Sequence, residues 1–216
     1  MALAALLVLS YLLGAFPSAI VIGRILGGID VRQHGSGNAG ATNAWRVLGW
    51  RVGLPVAAID VAKGAAASAG IARLPLGPLP LSVEVVAVLC GIAAVLGHVF
   101  PIYTGFRGGK GVATAGGMLV ATAPIPVGCA LGVFLVALFL SGVVSLGSIL
   151  AAWAIPVSAL LLDLFTDLDH PPLLIGLTGG LALFILYTHR TNIARLLKGE
   201  ERSFPRLQLW KRLLRR

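Results

Sequence analysis

From Met1 to Gly23 the chain carries no charged side chain, and its first cation is Arg24. About twenty apolar residues in a helix are enough to cross the hydrocarbon layer of a bilayer, so this run predicts a first membrane span. It lacks the positively charged start of a cleaved leader and is too long for one, which puts the beginning of the chain outside and Arg24 at the cytoplasmic edge. Further apolar stretches follow at 53–72, 82–99, 112–140, 142–162 and 172–188. With 57% hydrophobic residues, 12% charged residues and a mean hydropathy of +0.94, the chain lies outside the range of an ordinary soluble domain. Its 28 glycines suit helices that approach closely inside a membrane. The expected fold is an all-α integral membrane protein, a polytopic helical bundle forming a single domain over residues 1–216.

The distribution of cations orients the spans. Arg24, Arg32, Arg46 and Arg51 follow the first span, Arg107 and Lys110 lie in 98–111, and the tail after residue 188 is heavily basic. By the positive-inside rule all three segments face the cytoplasm. The connector at 73–81, with Arg73 alone, and the one at 163–171, with Asp163, Asp167, Asp169 and His170, look external. Lys110 and Arg190 on one side require an even number of crossings between them. Pro124 and Pro126 supply the break that 112–140 needs, because proline interrupts a regular helix. The reading is seven transmembrane helices, several of them short, with the N-terminus outside and the C-terminus cytoplasmic. Five, with 112–140 unbroken, is the runner-up.

This topology brings three polar, glycine-containing segments to the cytoplasmic face. The first is GSGNAGATNAWR, residues 35–46. Gly35, Gly37 and Gly40 permit backbone conformations in which successive N–H groups can cradle phosphate oxygens. Ser36, Asn38, Thr42 and Asn43 add short polar side chains, Arg46 adds charge, and a helix beginning near Ala41 would add a favourable N-terminus. The second is GHVFPIYTGFRGGKGVAT, residues 97–114. Here Gly108, Gly109 and Gly111 expose Lys110, Arg107 can share an anion, and His98 ends the preceding helix. It is not a nucleotide P-loop, since Gly111 stands where that motif needs Ser or Thr. The third is YTHRTNIARLLKGEE, residues 187–201, in which His189, Asn192 and Arg195 fall on one helical face and Arg190 and Arg195 otherwise serve as a basic collar.

Asp60 and Lys63 are charges three residues apart inside an apolar span, and intramembrane charges usually pair or serve function. Glu84 reads as interfacial, His34 as loop, and Cys90 and Cys129 as inert buried thiols. Four scattered histidines and no carboxylate cluster give no metal-ligand spacing, so neither a metal nor an organic cofactor is expected. Nine of the seventeen Lys and Arg residues lie from Arg190 onward, which suits anionic lipid and not nucleic acid. The end of the tail, LWKRLLRR, is amphipathic enough to lie on such lipid.

Together the three motifs resemble those of the bacterial acyl-phosphate:glycerol-3-phosphate acyltransferases, the membrane-bound PlsY family, and the internal DVAKG is similar to that family's pattern. The resemblance covers nearly the whole chain in order and spacing. It implies transfer of a fatty acyl group from acyl phosphate to the 1-hydroxyl of glycerol 3-phosphate, with lysophosphatidic acid and inorganic phosphate as products and membrane lipids around the site. An upstream enzyme that makes acyl phosphate is an implied partner. Ser36, Arg46, Lys110, His189 and Asn192 are the expected catalytic residues. Gly35, Gly37, Asn38, Gly40, Thr42, Asn43, Asp60, Lys63, His98, Arg107, Gly108, Gly109, Gly111, Arg190 and Arg195 are expected to bind substrate. An acyl-serine route through Ser36 is disfavoured, since GSGN lacks the GxSxG elbow and no acid–base partner lies close in sequence. Two other classes remain at this point: a transporter of phosphorylated solutes, although no internal repeat relates two halves, and a membrane scaffold, which leaves GSGN and GGKG without a purpose.

Overall fold

The computed structural model describes residues 1–168 and 170–208. Asp169 of the acidic connector and the amphipathic LWKRLLRR tail at 209–216 lie outside the described residues. Among those described there is no β-strand, and the chain forms two compact units, Met1–Ala123 and Pro124–Arg216. The absence of strands agrees with the sequence, because in lipid a helix satisfies its backbone groups within one segment.

The first unit contains α1 (Ala2–Ala15), α2 (Ser18–Gly27), α3 (Ala41–Leu48), α4 (Trp50–Ala65), α5 (Val83–Val99) and α6 (Val112–Val120). The first apolar run is therefore two helices. Pro17 has no N–H to give, and Phe16 before it is held extended at φ −54°, ψ 119°, as a residue preceding proline prefers. α4 runs on through a π-helical turn, Ala66–Gly70, and a tighter turn, Ile71–Arg73.

Glycine sets how these helices meet. A Cβ on Gly14 would fall on the carbonyl of Ala94, and one on Gly97 would fall on that of Tyr11. As one number rises the other falls, so α1 and α5 run antiparallel with backbones in contact. Gly64 against the Thr114 carbonyl and Gly117 against that of Val61 do the same for α4 and α6. Between apolar helices in lipid there is little hydrophobic gain from association, and this close approach supplies dispersion contact in its place. A small core of Ala19, Val31, Ala44, Val52 and Val56 seats α3 under α2 and α4.

The second unit contains α7 (Pro124–Ser141), α8 (Val144–Phe165), α9 (Pro172–Thr188) and α10 (Arg190–Leu197). α7 and α8 are joined through Gly142, at φ +70°, whose carbonyl accepts from Phe204 N at 2.8 Å. The expected interruption of 112–140 is present, since α6 ends at Val120 and α7 begins at Pro124. Leu131, Leu135, Val136 and Leu140 on α7 are exposed, as expected of a lipid-facing surface. Cys90 is buried, but Cys129 is exposed on α7; an apolar run places a thiol in a membrane helix without saying which face it takes. In the acidic connector, Asp163 pairs with the His170 ring.

Among the described residues, five helical segments are long and apolar enough to cross a membrane: Ala2–Gly27, Trp50–Arg73, Val83–Thr104, Pro124–Ser141 and Val144–Phe165. Counting α9 with α10, bent by 64°, makes six. The glycine contacts predict a contrast between neighbours. Gly117→Val should lower stability by about 3 kcal/mol through overpacking. Gly116→Ala, with no heavy atom within 4 Å of the added Cβ, should leave it unchanged or slightly raised, as helix propensity favours Ala. Thermal unfolding of the two variants in detergent checks this.

Candidate active site

The first motif is a loop folded on one asparagine. Asn43, 1% exposed, donates through Nδ2 to the carbonyls of Val31 at 2.8 Å and His34 at 3.0 Å, and its Oδ1 accepts from Ser36 N at 2.7 Å. Its amide thus shapes the loop from inside. Gly35 and Gly37 stand at φ +62° and +74°, where a side chain would be strained, and Gly37 N donates to the His34 carbonyl at 3.1 Å. The amides of residues 36 and 37 therefore close the loop, which amends the expectation that successive N–H groups turn outward. What the loop presents is the exposed Ser36 side chain, the half-buried Asn38, and the leading N–H groups of α3, which starts at Ala41 after Gly40 and has no intrahelical acceptors there. Thr42 lies in that first turn and Arg46 in the last.

Upstream, Asp30 caps a short turn over Val31–Gln33 and binds the Arg32 guanidinium at 2.7 Å. The hydrogen bonds and charge of Arg32 hold the Asp30 carboxyl below its ordinary value, against the opposing effect of burial. Arg32 also donates to the Thr104 carbonyl at 3.3 Å, and Asn38 Nδ2 reaches the Gly108 carbonyl at 3.5 Å. The first and second motifs are thereby tied together.

The second motif leaves the end of α5 and folds back on it. Gly108 N donates to the Val99 carbonyl at 3.2 Å and Gly109 N to that of His98 at 3.0 Å. A Cβ on Gly108 would strike the His98 carbonyl and one on Gly109 the His98 ring, so the GG pair is required by close approach as much as by exposure of Lys110. Gly111, at φ +85°, starts α6. Lys110 is half-buried, and Arg107 is exposed.

Beneath this loop lies a buried polar cluster. Lys63, 4% exposed, meets Asp60 Oδ1 at 2.9 Å and donates to the carbonyls of Phe16 at 2.9 Å and Gly14 at 3.1 Å. The break after α1 turns Ser18 N to the Phe16 carbonyl, at 3.0 Å, and so leaves the Gly14 carbonyl without its helical donor. Ser18 Oγ donates to Asp60 Oδ1 at 2.5 Å, and His98 Nδ1 lies 3.2 Å from Lys63 Nζ. The expected Asp60–Lys63 pair is there, and His98 faces it. Ser18 was missed by sequence reasoning; the proline inside FPS was the available signal of a helix break. A small cleft opens above, lined by Phe16, Pro17, Ser18, Ala39, His98, Thr104, Gly108 and Gly109 among others.

In the second unit, His189 sits at the bend between α9 and α10, 3% exposed. Its Nδ1 lies 2.9 Å from the Ile185 carbonyl, which can only accept, so Nδ1 carries a proton and in the neutral ring Nε2 bears the lone pair. Asn192 Nδ2 donates to Glu201 Oε1 at 2.6 Å, Arg195 Nε to Glu201 Oε2 at 2.7 Å and Ser145 Oγ to Oε1 at 2.9 Å. Asn192 and Arg195 thus share a face, as the spacing predicts, and Glu201 joins them. Sequence reasoning missed Glu201, because GEE reads as a solvated charge run. Arg190 is exposed and stacks over the Tyr187 ring at 4.5 Å, in keeping with the basic-collar reading. No group of three or more His, Cys, Asp or Glu side chains placed to hold a metal ion occurs among the described residues.

Residues 4–199 match the family model of the glycerol-3-phosphate acyltransferases. The chain belongs to this family. The glycerol-3-phosphate acyltransferase of Chlorobaculum tepidum is 45% identical, over 91% of this chain and 94% of that protein. Among solved structures, PlsY, an integral membrane glycerol 3-phosphate acyltransferase, is similar in its glycerol 3-phosphate form with a TM-score of 0.83, 33% identity and coverage of 97% of this chain and 99% of that one. Its lysophosphatidic acid form has a TM-score of 0.82. The protein is therefore an acyltransferase and an integral membrane protein, and the transporter and scaffold readings fall away.

Burial raises the Glu201 carboxyl, but hydrogen bonds from Asn192, Arg195 and Ser145 outweigh it and leave the group below its ordinary value of 4.5. A carboxyl depressed on folding contributes stability that is complete above its unfolded value and disappears as pH falls through the folded one. Glu201→Gln should accordingly unfold at a lower temperature than the parent at pH 7, and the gap should narrow as pH falls below about 4.5. Melting curves of both proteins across that range measure it.

Proposed function

We propose that this enzyme transfers a fatty acyl group from acyl phosphate to the 1-hydroxyl of sn-glycerol 3-phosphate, giving 1-acylglycerol 3-phosphate and inorganic phosphate. The observation that carries the reading is the likeness over 97% of the chain to a structure described in its glycerol 3-phosphate form. Two phosphate-bearing substrates need cationic, glycine-lined loops, and the first and second motifs, tied by Arg32 and Asn38, are such loops. The matched segment 4–199 runs through both compact units, which supports a single acyltransferase domain.

Acyl phosphate is an activated mixed anhydride, so positioning and charge stabilisation supply much of the catalysis. The acceptor oxygen attacks the acyl carbonyl carbon and forms the ester bond. The bond from that carbon to the bridging oxygen breaks, and phosphate leaves with the electron pair. The Ser36 hydroxyl, Asn38 and the leading amides of α3 hold a phosphate, within a shape set by Gly35, Gly37, Gly40, Thr42, Asn43, Gly108, Gly109 and Gly111. Arg46 and Lys110 neutralise phosphate and developing oxyanion, with Arg107, Arg190 and Arg195 as outer cations. Asp60 and Lys63 hold the floor. His189 and Asn192 orient the acceptor. The hydroxyl proton passes to a substrate phosphate oxygen or to His189, whose neutral ring keeps its lone pair on Nε2; resemblance to the family favours the phosphate.

The same reading sets the protein in a bacterial inner membrane with the three motifs toward the cytoplasm, at the first acylation step of phospholipid synthesis, fed by an enzyme that makes acyl phosphate. It retains seven crossings, the N-terminus outside and the C-terminus inside. α6, with nine residues, reaches only about half the bilayer thickness as a regular helix and is the shortest of the seven.

Purified protein in lipid, given radiolabelled glycerol 3-phosphate, should form labelled product with acyl phosphate and not with acyl-CoA or acyl-carrier protein. Lys110→Ala should lower that rate at least about a hundredfold, the scale of a lost electrostatic stabiliser. Transfer from acyl-CoA alone would overturn the donor assignment.

A further inference from the structure

The cleft at the break between α1 and α2 is lined by apolar side chains, Phe16, Pro17 and Ile20 among them, and by His98, Thr104 and Gly108. His98 is 7% exposed, and the placement of its ring proton follows from what stands behind it. Nδ1 lies 3.2 Å from the Lys63 ammonium and 3.5 Å from Asp60 Oδ1. A proton on Nδ1 would point at a cation and reach the carboxylate only at the limit of a hydrogen bond. The Nδ1 lone pair therefore faces the ammonium, whose three protons are shared among it and the three oxygens around Lys63, and the ring proton sits on Nε2. That edge of the ring is held against Gly109, where even a methyl group would collide with it. No hydrogen bond to Nε2 occurs among the described residues, whereas Nδ1 is engaged.

Resting on the acyl-phosphate reading above, we propose that this cleft receives the carboxyl end of the acyl donor and that His98 Nε2–H donates a hydrogen bond to the acyl carbonyl oxygen. The apolar part of the lining takes the first methylenes of the chain. As the acceptor oxygen bonds to the carbonyl carbon, the carbonyl electron pair moves onto the oxygen facing His98. It returns as the bond to the bridging phosphate oxygen breaks, and His98 keeps its proton throughout. A rigid donor aimed where negative charge develops strengthens toward the transition state without reorganising. Lys63 behind the ring, locked to two backbone carbonyls, reinforces that donor.

Two probes isolate the carbonyl. A long-chain acylphosphonate keeps the carbonyl and joins it directly to phosphorus, so it cannot be cleaved as an anhydride. An alkyl phosphate of equal length has the phosphate and no carbonyl. His98→Leu should weaken binding of the acylphosphonate about tenfold, the worth of one good hydrogen bond, and that of the alkyl phosphate less than twofold. His98→Gln, which restores an N–H donor, should recover most of the difference and serves also if the leucine variant does not fold. Equal weakening of both probes, or none, would overturn the assignment. So would a parent protein that catalyses transfer from acyl phosphate yet binds both probes alike; in that outcome the donor assignment survives and the role of His98 does not. A parent that neither binds the probes nor uses acyl phosphate loses both.

Discussion

A lysine ammonium inside a membrane helix is tolerable only if its surroundings replace water, and around Lys63 they do. Three oxygens, from Asp60, Phe16 and Gly14, and one imidazole nitrogen stand within 3.2 Å of Nζ. One of those oxygens, that of Gly14, lacks its helical donor because the break at Pro17 turns Ser18 N to the Phe16 carbonyl instead. The break in the first apolar run and the charge in the second are two halves of one solution: each would be costly alone, an orphaned helix end and an uncompensated buried cation, and each satisfies the other. His98 brings the end of α5 into the same cluster, and the second motif folds back onto His98 through Gly108 and Gly109. The position of the GGKG loop in the first unit is thus inherited from the polar cluster directly beneath it.

Glycine does different work in the two kinds of segment. In the helices, Gly14, Gly64, Gly97 and Gly117 bring backbones into contact and make a tight scaffold from weakly attractive surfaces. In the loops, Gly35 and Gly37 take positive φ so that Asn43 can gather the first motif around a single side chain. The outcome is a loop whose inward donors are committed to its own shape, leaving the Ser36 hydroxyl and the α3 terminus to face a ligand. Rigidity of this kind is what a site relying on positioning and charge requires.

Much of this was legible in the sequence because its signals are local. Apolar run length gave the helices, Pro124 marked the break after α6, and the spacing of Asp60 and Lys63 announced their pairing. The start of α3 at Ala41 and the shared face of Asn192 and Arg195 also came from short-range pattern. What escaped depends on packing between distant residues. Ser18 meets Asp60 from 42 positions away, and His98 meets Lys63 from 35; nothing in either neighbourhood marks the partner. Asn43 looked like a ligand donor because its side chain suits that task, and only the folded loop shows its amide turned inward. Glu201 was hidden in a charge run, since being held by Ser145, Asn192 and Arg195 is a property of the folded unit.

If the buried ammonium and carboxylate support each other as described, their removal cannot be additive. The most direct measurement is a double-mutant cycle on unfolding free energy in bicelles with Lys63→Met, Asp60→Leu and the pair. Each single change should cost about 3–5 kcal/mol by stranding a charge in the bundle. The double variant should cost clearly less than the two together, with a coupling of about 2 kcal/mol or more. Additive losses would mean that the two charges are stabilised independently, and would contradict the account of the helix break on which the placement of the second motif rests.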